Sequence, residues 1–219
     1  MKIHCIGDSH SAVFSGEEKM QPVWPDRASN LIPYFESYRI GPSTAYQLHN
    51  KQSIIESVLL NPSVNENDKL MFCFGEVDIR AHLIKQSNLQ NRSINDVVCE
   101  CVSRYVNALL YYKKFNKEIL IWGPIASWSD KKPYIDFQTK EPGPSYGSNI
   151  ERNNVTKIFN QYLIDLCVEN NFQFVSIFEK MLNNDGTTNP YYIMDHIHLS
   201  QNAMPLIINE LKNKNIISN

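Results

Sequence analysis

The order of segments along the chain predicts an α/β protein: a parallel sheet of short strands with helices on both faces. Three observations lead there. Short apolar segments alternate with longer stretches of helical periodicity, the pattern of repeated strand–helix–strand units. The central segment, Lys69–Phe74 (KLMFCF), is apolar almost throughout, as a strand covered on both faces requires. Several apolar segments also end in small or polar clusters: Gly7-Asp8-Ser9-His10, Gly41-Pro42-Ser43, Gly75-Glu76-Val77-Asp78 and Gly123-Pro124. Ligands bind at the carboxyl ends of the strands in such sheets, so these clusters should meet on one rim.

The elements follow in order. Lys2–Ile6 is the first strand and stops at Gly-Asp-Ser; Phe35–Ile40 is the second and stops at Gly41-Pro42. Lys69–Phe74 is the third, Glu118–Trp122 (EILIW) the fourth, and Phe172–Ile177 (FQFVSI) the fifth. A helix is expected where Ile94, Val97, Val98, Cys101, Val102, Tyr105, Val106 and Leu109 form a stripe at i, i+3, i+4 spacing. Ser93 and Asp96 are its N-cap pair. The logic repeats after Ser148 and Glu151, with Val155, Ile158, Phe159, Tyr162 and Leu166 as the stripe and Asn170-Asn171 as the stop. A last helix carries Ala203, Leu206, Ile207 and Leu211, with Pro205 in its first turn, where a missing N–H costs least.

Composition bounds what the chain can be. The length of 219 residues suits one domain, expected over 1–219, with neither an internal repeat nor a Gly/Ser linker to divide it. With 42% hydrophobic and 20% charged residues, a packed core is expected. Twenty-one Lys+Arg against 23 Asp+Glu removes the electrostatic footprint of a nucleic-acid binder. No apolar run approaches the ~18 residues of a membrane span, and the opening MKIHCIGDSH breaks at Gly7-Asp8, unlike a signal peptide. A cytoplasmic location is the expectation. The five cysteines lack metal-ligand spacing and are expected as small core residues. No metal and no cofactor are implied, since neither ligand clusters nor nucleotide-binding glycine loops occur.

The chemistry lies at the two ends of the chain. Ser9 sits just past the first strand, where Gly7 permits a tight turn and the N–H groups opening the next helix can face an oxyanion. On that segment alone, a plain N-cap serine is the better reading. Asp195-His196-Ile197-His198 changes the balance. A serine nucleophile needs a base, and the base needs an acceptor on its other ring nitrogen. Asp195 and His198, three apart in a turn, can supply both; His196 is the competing base.

These residues carry a resemblance. Gly7-Asp8-Ser9, Gly41 after the second strand, Gly75-x-x-Asp78 after the third and Asp195-x-x-His198 near the end make the chain similar to the SGNH (GDSL-type) hydrolase superfamily over nearly its whole length. The resemblance implies a three-layer α/β/α, flavodoxin-like sheet of order 2-1-3-4-5. It also implies Ser9 as nucleophile, His198 as base and Asp195 as its orienter, with Ser9 and Gly41 N–H as oxyanion donors. The substrate would be a small-molecule or glycan ester. Water would accept the acyl group in an esterase. In an O-acetyltransferase of surface polysaccharide synthesis a sugar hydroxyl would accept it, with acetyl-CoA as donor. A catalytically weakened glycan-binding protein on the same scaffold is the rival from another class.

One departure stands out. The family's third block usually reads Gly-x-Asn-Asp, its Asn being a third oxyanion donor, and here that place is Val77. The string Gly75-Glu76-Val77-Asp78-Ile79-Arg80 resembles a variant branch. Arg80 is expected either to supply the missing donor or to pair with Glu76 across one helical turn. Asp78 is expected to cap the helix that follows rather than to act directly. His4, His10 and His49 are read as structural, and His82 as a possible rim residue. The segment 123–148 carries Trp128, Tyr134, Phe137 and Tyr146 with Lys131, Lys132 and Asp136. It reads either as a sugar-binding lid or as an ordered loop packed by its own aromatics.

Overall fold

A computed structural model describes residues 1–128, 145–195 and 197–218. Five strands form one parallel sheet in the order β2-β1-β3-β4-β5. They are β1 (Ile3–Gly7), β2 (Phe35–Arg39), β3 (Lys69–Cys73), β4 (Ile119–Trp122) and β5 (Gln173–Val175). Each predicted strand is present, with ends moved by one or two residues and β5 the most shortened.

The helices are α1 (Gln52–Leu59), α2 (Glu76–Asp78, a single turn), α3 (Ile84–Gln90), α4 (Ile94–Leu110), α5 (Asn149–Asn170) and α6 (Met204–Asn213). A wide π turn over Ile79–Leu83 joins α2 to α3. The capping signals act as the sequence suggested. Ser93 accepts from Asp96 N–H, and Ser148 with Glu151 forms a reciprocal capping box. Asn171 ends α5 in the left-handed conformation, and Pro205 sits in the first turn of α6.

The pleat of β3 explains its unbroken hydrophobicity. Leu70, Phe72 and Phe74 face a core built with α4 and α5, including Val98, Tyr105 and Phe159. Met71 and Cys73 face a second core with Trp122 and α6, including Ile207 and Leu211. Both faces of the sheet are dry, so no position in the strand tolerates a polar side chain without a partner. Cys5, Cys73, Cys101 and Cys167 are buried as expected, and Cys99 is half-buried. Burial pushes the thiols of Cys5, Cys73 and Cys101 up, which keeps them uncharged and inert. Among the described residues no helix is long and apolar enough to cross a membrane.

Candidate active site

Ser9 opens a 3-10 turn, Ser9–Ser15, directly after β1. Two features fix that turn. A Cβ on Gly7 would lie 2.6 Å from the Cys73 carbonyl, so only glycine lets β1 run this close to β3. Asp8 then caps the turn, its carboxylate accepting from His10 N–H at 2.8 Å. The Ser9 side chain is left half-buried at the rim.

The other end of the chain meets it there. An antiparallel bridge between Ile193 and Leu199 and a bond from Met194 N–H to the His198 carbonyl (2.9 Å) close a tight loop. Inside it, the Asp195 carboxylate accepts from the backbone N–H of His198 at 3.0 Å and stands 2.8 and 2.9 Å from His198 Nδ1. An ionised carboxylate only accepts, so Nδ1 carries the proton. Nε2 is thereby left to accept from the Ser9 hydroxyl, 2.8 Å away. Burial pushes the Asp195 carboxyl up, but the hydrogen bond and charge of His198 and the two backbone N–H groups outweigh it and hold it at about 2. Ser9 and His198, 189 positions apart, thus touch through a ring nitrogen poised to take a proton.

Gly41 occupies the equivalent place on the neighbouring strand. Gly7 pairs with Arg39 in register, so Gly41 lies two residues past the pair, as Ser9 does. Ile40 N–H donates to the Gly7 carbonyl at 2.8 Å and fixes the two turns side by side. Gly41 has φ +86, a left-handed value that glycine adopts without a Cβ penalty. Among the described residues, neither the Ser9 nor the Gly41 N–H donates to a backbone acceptor outside the regular elements.

Asp78 differs from expectation. It does not cap a following helix. Its carboxylate accepts from Ala45 N–H (2.7 Å) and Tyr46 N–H (3.1 Å), and so ties the loop that follows Gly41 to the end of β3. Burial raises its carboxyl to about 6, against the pull of those two donors. The cap reading failed because α2 lasts a single turn, which left the carboxylate of its last residue facing the neighbouring loop.

The ion pair expected between Arg80 and Glu76 across one helical turn is formed. Arg80 Nε donates to Glu76 Oε1 at 2.8 Å. Glu76 has a second partner that the sequence reading missed: His10 Nε2 donates to its Oε2, also at 2.8 Å. All three side chains are 5–7% exposed. Burial alone would push the His10 imidazole down, but the charges of Glu76 and Asp8 raise it. The Arg80 charge, with the pull and hydrogen bond of His10, holds Glu76 well below the ordinary carboxylate range in spite of its burial. The His10 ring also packs on that of His198, centroids 4.8 Å apart. A charged layer therefore lies directly under the Ser9–His198 contact. Its i, i+4 half was legible in sequence; the His10 half spans 66 residues and left no local signal.

His4 is structural, its ring nitrogens meeting Tyr38 Oη (3.1 Å) and Asp68 (3.0 Å). Trp128 is buried with the Arg152 guanidinium over its ring, a packed position rather than an exposed platform. Lys131, Lys132, Tyr134, Asp136, Phe137 and His196 lie outside the described residues. Among the described residues no group of three His, Cys, Asp or Glu side chains is placed to hold a metal.

The fold has known counterparts. No protein-family model matches the chain, and no curated protein matches it. Solved structures do. A GDSL-like lipase from Bacteroides thetaiotaomicron superposes over 97% of this chain and 86% of its own, with TM-score 0.55 and 12% identity. An acetyl xylan esterase covers 98% and 99%, with TM-score 0.55 and 14% identity. The native aryl esterase of M. Smegmatis covers 99% of both chains, with TM-score 0.54 and 17% identity. The strand order and flanking helices are those of the GDSL/SGNH hydrolase fold.

Proposed function

We propose that the chain, as one domain over residues 1–219, is a serine esterase or acyl hydrolase that works through an acyl-Ser9 intermediate. The observation that carries the reading is the hydrogen-bonded line Ser9–His198–Asp195. Ser9 Oγ attacks the ester carbonyl and its proton passes to His198 Nε2. Asp195 holds the ring tautomer and balances the imidazolium that forms. The carbonyl oxygen becomes an oxyanion facing the N–H groups of Ser9 and Gly41. The tetrahedral intermediate then expels the alcohol, which takes the proton from His198. Water repeats the sequence on the acyl-enzyme: it loses a proton to His198, releases the acid and restores the Ser9 hydroxyl.

Arg80 enters this reading as the counter-ion of Glu76 rather than as a third donor, and His10 and Glu76 as the layer that seats His198. A carbohydrate ester as substrate has support in fold neighbours that include an acetyl xylan esterase and a carbohydrate acetylesterase from Sinorhizobium meliloti. The reading is tested with a fluorophosphonate probe and p-nitrophenyl acetate. Wild type should be labelled and should turn over, and Ser9→Ala should do neither. Acetylated sugars assayed with and without acetyl-CoA separate hydrolysis from transfer. A wild-type protein that is neither labelled nor active on any ester would leave the binding-protein reading in its place.

A further inference from the structure

A cavity of about 330 Å³ opens between the loop after β2 and the turn that follows β3, within the ~300–1,000 Å³ range of small-molecule sites. One wall is the loop after β2, with Thr44 and Gln47; the other is the π turn and α3, with His82 and Gln86. Thr44 is three residues past Gly41, so at most about 11 Å of chain separates that wall from the Gly41 N–H. Asp78 fixes the wall by its bonds to Ala45 and Tyr46 N–H.

The lining selects the chemistry of the guest. Leu83 and Val97, both buried, give an apolar patch. Around it stand groups with unused hydrogen-bonding capacity. Among the described residues, the Gln47 side-chain amide and the His82 ring have no partner, and Gln86 spends only its Oε1, accepting from Gln90. The Gln47 amide offers two donors and an acceptor and Gln86 keeps its two donors, which matches hydroxyl groups that donate and accept alternately. An anionic guest is disfavoured. The cavity holds two carboxylates, Asp78 and Glu100, against one guanidinium, Arg92, and Arg92 is already 2.7 Å from Glu100. An extended hydrocarbon would bury the amides without partners.

We propose that this cavity is the subsite for the alcohol half of the substrate and takes a neutral saccharide unit, its C–H face on Leu83 and Val97 and its hydroxyls on Gln47, His82 and Gln86. The proposal rests on the esterase reading above, with the ester bond reaching from the cavity to Ser9 past Gly41. It assigns sugar recognition to the β2 loop and α3 rather than to the aromatic segment 123–148.

The test has a binding arm and a kinetic arm, both on the full chain. In the first, ¹⁵N-labelled Ser9→Ala is titrated with xylobiose, glucose and N-acetylglucosamine, and with inorganic phosphate and octanol as controls. At least one saccharide should shift the amides of Thr44, Gln47 and Gln86, and the controls should not. In the second, Gln47→Ala and Gln86→Ala are assayed on acetylated xylobiose and on p-nitrophenyl acetate. Each loses a hydrogen bond at a site exposed enough to spare the fold, so kcat/KM for the sugar ester should fall about five- to tenfold relative to the aryl ester. Shifts confined to other surfaces, a stronger response to phosphate or octanol, or an unchanged ratio of the two esters would each overturn the proposal. A wild type inactive on both esters would instead remove the esterase reading, and the binding arm would still decide whether the cavity takes a sugar.

Discussion

Replacing Glu76 by Gln tests whether the buried charge layer holds the site together. The substitution keeps the shape of the side chain and removes one negative charge. In the native protein Glu76 accepts two charge-assisted bonds of 2.8 Å, from His10 and Arg80, where all three groups are 5–7% exposed. Removing one partner of a buried ion pair typically costs about 3–5 kcal/mol, because the remaining charge loses its counter-ion without regaining water. At roughly 2–4 °C per kcal/mol for a chain of this size, Tm should fall by about 6–20 °C. The pH dependence separates this cause from a packing fault. His10 is raised in the folded state, so its contribution is complete below about pH 6.5 and disappears as pH rises through the raised value. Glu76 is depressed, so its contribution is present above about pH 4.3 and disappears only as pH falls toward the depressed value. The pair is therefore strongest between about pH 4.5 and 6.5. The deficit of Glu76→Gln, read by calorimetry, should be greatest there and shrink toward pH 8. A Tm loss under about 2 °C, or a larger one independent of pH, would refute the reasoning.

Other outcomes follow from the same geometry. Ser9→Ala and His198→Ala should each abolish nearly all turnover of p-nitrophenyl acetate, and the double variant should lose little more; additive losses would mean that the two do not share a step. Esterase activity should fall on acidification, because the base must be unprotonated. Since Asp195 is held at about 2, the acid limb between about pH 3.5 and 5 should reflect one proton; a slope of two would show Asp195 titrating in that range. Gly41→Ala has room, its Cβ 3.7 Å from Val23, but forces a left-handed conformation. It should cost about 1–2 kcal/mol by denaturant unfolding and lower kcat more than it raises KM. Asp78→Asn should release the Ala45–Tyr46 loop and reduce kcat with a smaller change in Tm, whereas an equal loss in Glu76→Gln and Asp78→Asn would point to a general packing defect.

How much of this was legible in sequence depended on the range of each signal. Capping pairs, the α4 stripe and the unbroken apolar β3 are local, and each was found within a residue or two of its place; of the α5 stripe only Val155 and Phe159 are buried, because the helix also buries polar residues such as Asn153 and Asn160. Asp195 and His198 were also local, three apart in a loop closed by the Ile193–Leu199 bridge. Their meeting with Ser9 depended on the sheet bringing both chain ends to one rim, which strand-end clustering could suggest but periodicity could not. Trp128 shows the opposite case. In sequence it fitted a lid or a loop packed by its own aromatics equally well, and the Arg152 guanidinium that lies over its ring comes from α5, 24 residues on, where no local signal points. Asp78 was misread for a related reason. The residue type and its position after a strand fit a cap, but the donors that took it up, Ala45 and Tyr46 N–H, come from 33 and 32 residues away.

The change at the third strand end is better understood as a pair of changes than as a loss. Against the pattern the sequence resembles, Val77 stands where a neutral side-chain donor is expected, and a missing oxyanion donor typically costs about 10²–10³ in kcat. At the same strand end Glu76 turns inward and fixes His10 against the His198 ring. A carboxylate so placed would harm an oxyanion if it faced the rim unpaired. Paired on both oxygens, it presents no spare negative charge and confines the rings above it. In the proposed mechanism the two backbone donors would carry the oxyanion on turns held from below, by Asp8 on the His10 N–H and by Asp78 on the loop after Gly41. On this argument, restoring the donor alone should help little. Val77→Asn ought to raise kcat only if the new amide can reach the oxyanion over the Glu76–Arg80 pair. A gain of tenfold or more on p-nitrophenyl acetate would show that Val77 marks a missing donor and that the charged layer beneath does not compensate for it.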